Sequence, residues 1–575
     1  MYQKMIALAL AGLALSSCEP TPRTNTERPH RPQKPAEEQT AATSTESATA
    51  ATETPAATEG KPDVQPTATA EPTADANATV DTPAATDTPA TEAPDGTSPE
   101  APAVAVKEDP SAVLLSVALT VQDFNRVNPW EKTQAGSSRL NGIYLGDGLV
   151  LTLGRSLATT NYVEISLPDG SRTVPAKVLR YDADLNLGLL SVEGEEDATI
   201  FDDRTTYPLG APLGRGCKAE LFCTLNGMEP LRIPLTAEIG TVEDSMPRLQ
   251  MRAEQAVPGN YTHGAPVVSE GKLVGISAGY NSGSRQLRVI NAEIIKRFLD
   301  AKPEDPKGVP LMGVSMADLT DPVFRSYLGL GDKHTGVYLS SVKPEGGAAI
   351  AGLRKGDVLT SVEGIKIDNR GRCNLPLYGY LDISTVVRYL KPIGESLTVT
   401  YFRDGQEHTA TMPLNRDAEQ KTLIPDEEGG AAPRYVVWGG LVFQPLTTNY
   451  MNALKAEAKG ALPTEFLELD GRTEELRARG FRELTALTLV VPTTATLGYD
   501  SCNFALVEKV NGVEPHSFDD FVKLLDAPTE SGMVELTINK EPYVIYMEQK
   551  AAAAANDELR RSGIIRLRRT DSSDK

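Results

Sequence analysis

From Glu19 to Pro110 the chain contains no Leu, Ile, Met, Phe, Tyr or Trp, while 15 of its 41 prolines lie between Pro20 and Pro110. Such a segment buries too little apolar area to offset the entropy of ordering it. The sequence therefore predicts a disordered tether over residues 19–110 and confines every packed core to residues beyond Pro110. Between Glu19 and Asp109 lie 6 basic and 17 acidic residues, so the tether carries −11 of the chain's formal −21. Self-repulsion and proline keep it extended, with its ends about 50 Å apart even as a flexible coil. That charge balance also argues against a general nucleic-acid binder, which needs a basic surface to neutralise phosphates.

Ahead of the tether, Lys4 precedes an apolar run from Met5 to Leu15, followed by Ser16-Ser17-Cys18. One positive charge, a short apolar run and small residues read as a secretory signal over residues 1–18. The run is too short for a permanent membrane helix, which takes about 20 apolar residues. Leu15-Ser-Ser-Cys18 resembles a bacterial lipobox, which implies cleavage before Cys18 and its lipidation. The alternative is an ordinary signal peptide that contains a cysteine. With Glu19 rather than Asp after the cysteine, the expected address is the outer membrane, facing the periplasm.

Beyond the tether lie three folded blocks. Residues 111–302 show runs of about five apolar-patterned residues, such as Gly142-Ile-Tyr-Leu, Gly148-Leu-Val-Leu-Thr and Tyr162-Val-Glu-Ile-Ser-Leu, separated by turns such as Pro168-Asp-Gly170. This spacing predicts an all-β barrel or sandwich, closed by a helix at Asn291 to Asp300. Residues 308–416 contain Ala348-Ala-Ile-Ala-Gly-Leu-Arg-Lys-Gly-Asp-Val-Leu359 and the amphipathic stretch Ile383 to Leu390. Residues 433–550 repeat that order, with Val510-Asn-Gly-Val513, a helix from Phe518 and two closing strands, and with an insertion near Glu457 to Phe481. Residues 551–575 read as a solvated basic tail.

The Gly-Leu-Arg-Lys-Gly-Asp-Val-Leu run resembles the PDZ signature, and Pro310-Leu-Met-Gly-Val314 resembles that family's carboxylate-binding loop. The resemblance implies a peptide site at Leu311, Met312, Gly313 and Val314, where backbone N–H groups receive a terminal carboxylate. The peptide would add as a strand beside Ile383, Val386, Val387 and Leu390. A PDZ fold used only for packing is the alternative. A barrel followed by two such blocks resembles the Deg/HtrA family of serine proteases, closest to its plant-Deg-like branch with a degenerate second PDZ. Tyr435-Val-Val-Trp-Gly-Gly-Leu-Val-Phe443 and Gly498-Tyr499 carry that closer match. The implied fold class is mainly β, a chymotrypsin-like double β-barrel followed by two α+β PDZ-type domains.

Serine-protease chemistry needs a hydroxyl nucleophile, an imidazole base and an orienting carboxylate. In the family's histidine position stands Arg155, which stays protonated and accepts no proton. Asn186 stands for the aspartate, with Asp182 and Asp184 just upstream, and His263 stands for the serine. A register two residues earlier, on Gly259-Asn260, puts Tyr261 in the serine position and is no better for hydrolysis. Of the five histidines only His263 lies in the barrel. The expectation is a pseudoprotease without catalytic residues. No His/Cys/Asp cluster has metal-ligand spacing and no Gly-rich loop has phosphate-binding spacing, so no metal or cofactor is expected. Cys217 and Cys223 are too far apart along one strand for a disulfide and read as buried thiols. Trp130 reads either as a core residue or, by the family resemblance, as a candidate contact in a homo-oligomer, a trimer or a multiple of it.

The expected function is a membrane-anchored scaffold or chaperone-like protein that binds C-terminal or unfolded polypeptide segments through PDZ domains. An envelope endopeptidase with an unconventional nucleophile, and a structural tether without peptide ligand, are the alternatives.

Overall fold

The computed structural model describes residues 112–571 except 225–229, 244, 258–260, 332–333, 418–421, 428, 458–459 and 470. The signal, Cys18 and tether expectations, and the alternative register at Gly259-Asn260, lie outside the described residues. Among the described residues no helix is long and apolar enough to cross a membrane.

The first block is two closed six-stranded barrels. Strands β1 (Leu114–Val121), β2 (Gly136–Gly146), β3 (Leu149–Thr152), β4 (Thr160–Ser166), β5 (Thr173–Asp182) and β6 (Leu187–Ser191) close in the order β1-β2-β3-β6-β5-β4. Alternation makes the first barrel work: on β1, Leu115, Val117 and Leu119 point inward and are at most 1% exposed. The turn at Pro168 forms as expected, with the Gly170 N–H donating to the Leu167 carbonyl and the Asp169 carboxylate accepting from the Ser171 N–H. A single helical turn, α1 (Glu195–Ala198), leads out of it.

Strands β7 (Lys218–Cys223), β8 (Leu231–Glu243), β9 (Met246–Ala253), β10 (Pro266–Ser269), β11 (Lys272–Asn281) and β12 (Gln286–Asn291) close the second barrel in the order β10-β11-β12-β9-β8-β7. Helix α2 (Ala292–Asp300) comes next, capped by Asn291, whose buried side chain also bonds both backbone groups of Leu213. Cys223 is buried as expected, whereas Cys217 precedes β7 and is exposed.

The next block is a five-strand sheet with one appended strand. Its strands are β13 (Val314–Asp318), β14 (Val337–Val342), β15 (Val358–Val362), β16 (Ile365–Lys366), β19 (Ser396–Arg403) and β20 (Gln406–Pro413), with β17 (Arg372–Leu375) and β18 (Gly379–Asp382) as a separate hairpin. The order β13-β14-β15-β19-β20 leaves β13 on an edge. Helices α3 (Pro322–Tyr327), α4 (Gly347–Ile350) and α5 (Ile383–Leu390) complete it. Asp357, 2% exposed, receives Arg403 in a two-point ion pair and caps the turn through the Arg354 N–H.

The last block holds β21 (Tyr435–Trp438), β22 (Leu441–Pro445), β23 (Thr485–Val490), β24 (Ala505–Val510), β25 (Met533–Ile538), β26 (Val544–Glu548) and β27 (Arg568–Arg569) in one sheet, order β26-β25-β24-β23-β22-β21-β27. Its helices are α6 (Thr448–Glu457), α7 (Thr464–Leu467), α8 (Thr473–Ala478), α9 (Phe518–Asp526) and α10 (Gln549–Arg561). The insertion thus begins at Thr448, with a small core of its own around Tyr450, Leu454 and Phe466. The solvated tail is corrected: α10 buries Ala552, Ala555 and Leu559, and β27 pairs with β21. Alanines gave the tail no visible apolar stripe, yet small side chains are what let a helix pack closely on a sheet.

Trp130 packs edge-on against Tyr435 of the last block, at 6.5 Å between ring centroids. Arg569, 6% exposed, lies over the rings of both Phe124 and Tyr435 and donates to the Pro129 and Pro433 carbonyls. Trp130 thus has an aromatic partner within its own chain.

Candidate functional site

At the barrel junction, β3 ends at Thr152 and the chain tightens into a 3-10 turn at Arg155–Thr159. Asn186 is 7% exposed at φ +58° and its side-chain oxygen accepts the Arg155 N–H at 3.0 Å. Arg155 and Asn186 are thus neighbours, joined by a side-chain amide oxygen and a backbone N–H. The Arg155 guanidinium turns to the Ala183 carbonyl at 3.3 Å. Asp182 and Asp184 do not replace the missing carboxylate. Asp182 caps Asp184, Leu185 and Gly308, and Asp184 accepts from the Val309 N–H and pairs with Arg416, so both hold the linker to the next block.

His263 is held in place through its carbonyl, which accepts both the backbone N–H and the side-chain amide of Asn141 from the first barrel, at 2.8 and 3.0 Å. Its imidazole feels the Arg288–Glu243 ion pair, and burial followed by the Arg288 charge lowers its pKa. Thr262, the neighbouring hydroxyl, is fully buried. Across the junction, Arg248 of β9 is also fully buried and reaches the Leu185 carbonyl, one residue before Asn186, at 3.2 Å. An arginine fills the space beside the orienting position.

The loop before β13 is built differently. The Leu311 N–H donates to the Asn415 carbonyl; the Met312 and Gly313 carbonyls accept from Ala348 and Lys343. Gly313 sits at φ +70°, with Gly346 so close that a Cβ there would lie 3.0 Å from the Gly313 Cα. With both carbonyls engaged inward, the Met312 and Gly313 N–H groups donate to no protein acceptor among the described residues. Val314 then starts the edge strand, whose outer side pairs with nothing in the sheet. Helix α5 is capped by Asp382, whose side chain accepts from the Ser384 N–H. Of the four helix positions read as groove wall, Ile383, Val386 and Val387 are core, at most 1% exposed, and Leu390 is half-buried. The helix is also tied to the barrel. Arg297 donates to the Arg388 and Tyr389 carbonyls at its end, and the Tyr378 and Tyr389 hydroxyls meet Glu293, whose pKa burial raises.

The corresponding edge of the last block is occupied. Gly439 and Gly440 turn β21 back along β22, pairing Val436 with Phe443 and Trp438 with Leu441. Val436 and Trp438 share a core with Phe518, Phe521 and Leu525 of α9. The chain's own strand therefore lies where an added peptide would pair. The two glycines were the available signal, since both need positive φ, +66° and +107°. Among the described residues no group of His, Cys, Asp and Glu is arranged to hold a metal ion.

Comparison with known proteins matches two family models, both described as PDZ domain, to residues 310–414 and 424–571. The chain is 25% identical to "Protease Do-like 2, chloroplastic" of Arabidopsis thaliana, over 74% of this chain and 70% of that protein. It is 21% identical to "Protease Do-like 4, mitochondrial" of the same plant, over 81% and 88%. It is 26% identical to "Serine protease Do-like HtrA" of Lactococcus lactis subsp. lactis (strain IL1403), over 47% and 68%. Among solved structures it is similar to "HtrA-type protease AlgW with tripeptide", at 19% identity and a TM-score of 0.39, covering 53% of this chain and 94% of that one.

Proposed function

From the premise of a Deg/HtrA-family chain, with a trypsin-like double barrel and two PDZ domains, we propose a non-catalytic, peptide-binding scaffold of the cell envelope. The first PDZ domain is the binding module, and the barrel serves as its platform. One observation carries the reading: the Met312 and Gly313 amides donate to no protein acceptor among the described residues and adjoin an unpaired edge strand, while Arg155, Asn186 and His263 stand at the positions read for the triad. A carboxylate placed on that loop accepts two N–H groups, and the peptide behind it extends the β13 edge.

Lipid attachment at Cys18 and an outer-membrane, periplasm-facing address belong to the same proposal, on the strength of the Leu15-Ser-Ser-Cys18 sequence. A long acidic tether would then hold the folded blocks away from the bilayer. The ligands are C-terminal or unfolded polypeptide segments.

The test pairs two assays on the full chain: unfolded casein followed for fragments, and a library of C-terminal peptides titrated by fluorescence anisotropy. Intact casein together with carboxylate-dependent binding supports the proposal. Casein cleavage that disappears in His263→Ala overturns the non-catalytic half. Absence of any peptide binding overturns the other half and leaves a structural tether.

A further inference from the structure

The Gly498-Tyr499 pair has no part in the peptide site. Gly498 adopts φ +88° with open space around it, so backbone conformation alone demands glycine there. It delivers Tyr499, which packs on the core of the second PDZ domain, to the far end of the sheet. There the Tyr499 hydroxyl accepts the Tyr546 N–H at 3.1 Å and donates to the Tyr546 carbonyl at 3.2 Å.

Tyr546 is the central residue of β26, the outermost strand. Its partner across the ladder is Glu535. Glu535 directs its own N–H and carbonyl the other way, to Asn511, at 2.9 and 2.8 Å. The Glu535–Tyr546 pair is therefore one of the non-hydrogen-bonded positions of the ladder, and Tyr546 turns both backbone groups off the sheet. By the two-residue period Val544 and Glu548 do the same. Edge strands of this kind are templates for strand addition. The stretch Tyr543-Val-Ile-Tyr-Met547 is uncharged, apolar and free of proline, the composition most prone to it. Tyr543, Tyr546 and Leu497 stand 55%, 53% and 79% exposed along it.

We infer that Tyr499 is a gatekeeper of β26: its hydroxyl occupies the central outward pair of backbone groups and keeps a second copy of this chain from adding its own β26 there. The identical strand is the natural occupant, because two copies pair antiparallel about a two-fold axis through Tyr546, each meeting the same surface. Lysine or proline is the commoner edge protection; here one side-chain oxygen satisfies a donor and an acceptor at once.

The test is Tyr499→Phe in the full chain, which removes one oxygen and keeps the ring packing. Sedimentation over a concentration series should show self-association about tenfold tighter than wild type, the weight of one to two net hydrogen bonds. Adding Tyr546→Lys sets like charges opposite each other on the axis and should return the mass to the wild-type value. Amide exchange at Tyr546 should speed up in dilute Tyr499→Phe. A Tyr499→Phe chain with wild-type association and unchanged exchange overturns the inference. So does an association that persists with Tyr546→Lys, since it must use another surface.

Discussion

Replacing Gly313 by aspartate sets a negative charge beside the place where the loop would receive a carboxylate. With the added carboxylate about 5 Å from the peptide's own, the repulsion is about 1 kcal/mol in a water-like dielectric and about 3 kcal/mol at an effective value of 20. Affinity should fall roughly 5- to 150-fold. Gly313 sits at φ +70°, so any side chain also adds strain of about 1–2 kcal/mol. That strain is present with and without ligand, so it lowers thermal stability rather than affinity. Gly313→Ala separates the two effects: it should match the stability loss and leave affinity within about threefold. Anisotropy titrations of both variants, with a free-carboxylate peptide and its C-terminal amide, read the result. In wild type the amide should bind weakly, and Gly313→Asp should weaken it no further. A folded Gly313→Asp chain that binds the free-acid peptide like wild type refutes the reasoning, as does equal weakening of the amide, which would locate the effect in the groove's shape.

Asp357→Ala removes the ion pair to the partly exposed Arg403 and uncaps the Arg354 turn, and should cost about 1–3 kcal/mol in urea unfolding of the first PDZ domain. Glu293 has its pKa raised by burial against PDZ residues Tyr378 and Tyr389. Its stabilisation of the docked state is complete below the ordinary carboxylate range and is lost as pH rises through the raised value. Glu293→Gln should flatten that part of a melting-temperature profile against pH. Gly240 faces Tyr378 so closely that a Cβ would lie 2.4 Å from its carbonyl oxygen, so Gly240→Val should detach the PDZ domain from the barrel, seen as faster proteolysis of the 303–308 linker. Of the four cysteines among the described residues, Cys217 alone should react with a thiol reagent in the native chain. Burial pushes Cys223 up to about 11 and Cys373 up to about 12.

The substitutions read at Arg155, Asn186 and His263 were legible because they are single residue identities. An arginine accepts no proton wherever it sits, so Arg155 needed no coordinates. The barrels and PDZ folds were legible through two-residue alternation and through turn residues such as Asp169-Gly170 and Asp357, whose effects reach only a few positions along the chain. The expectation of a carboxylate loop has the same short reach, being a run of consecutive residues around Gly313. Tertiary structure alone decided the uses of long-range pairing. Asp182 and Asp184 looked like spare catalytic carboxylates and instead hold Gly308, Val309 and Arg416. Trp130 found its partner in Tyr435, 305 positions on. Strand β21 carries the pattern of any buried strand, and only its pairing with β22 makes it an occupant of the second groove. Residue identity sets what a side chain can do chemically. Which of several equivalent edges and partners it meets depends on loop closures and packing summed over the whole chain, and no local pattern encodes that sum.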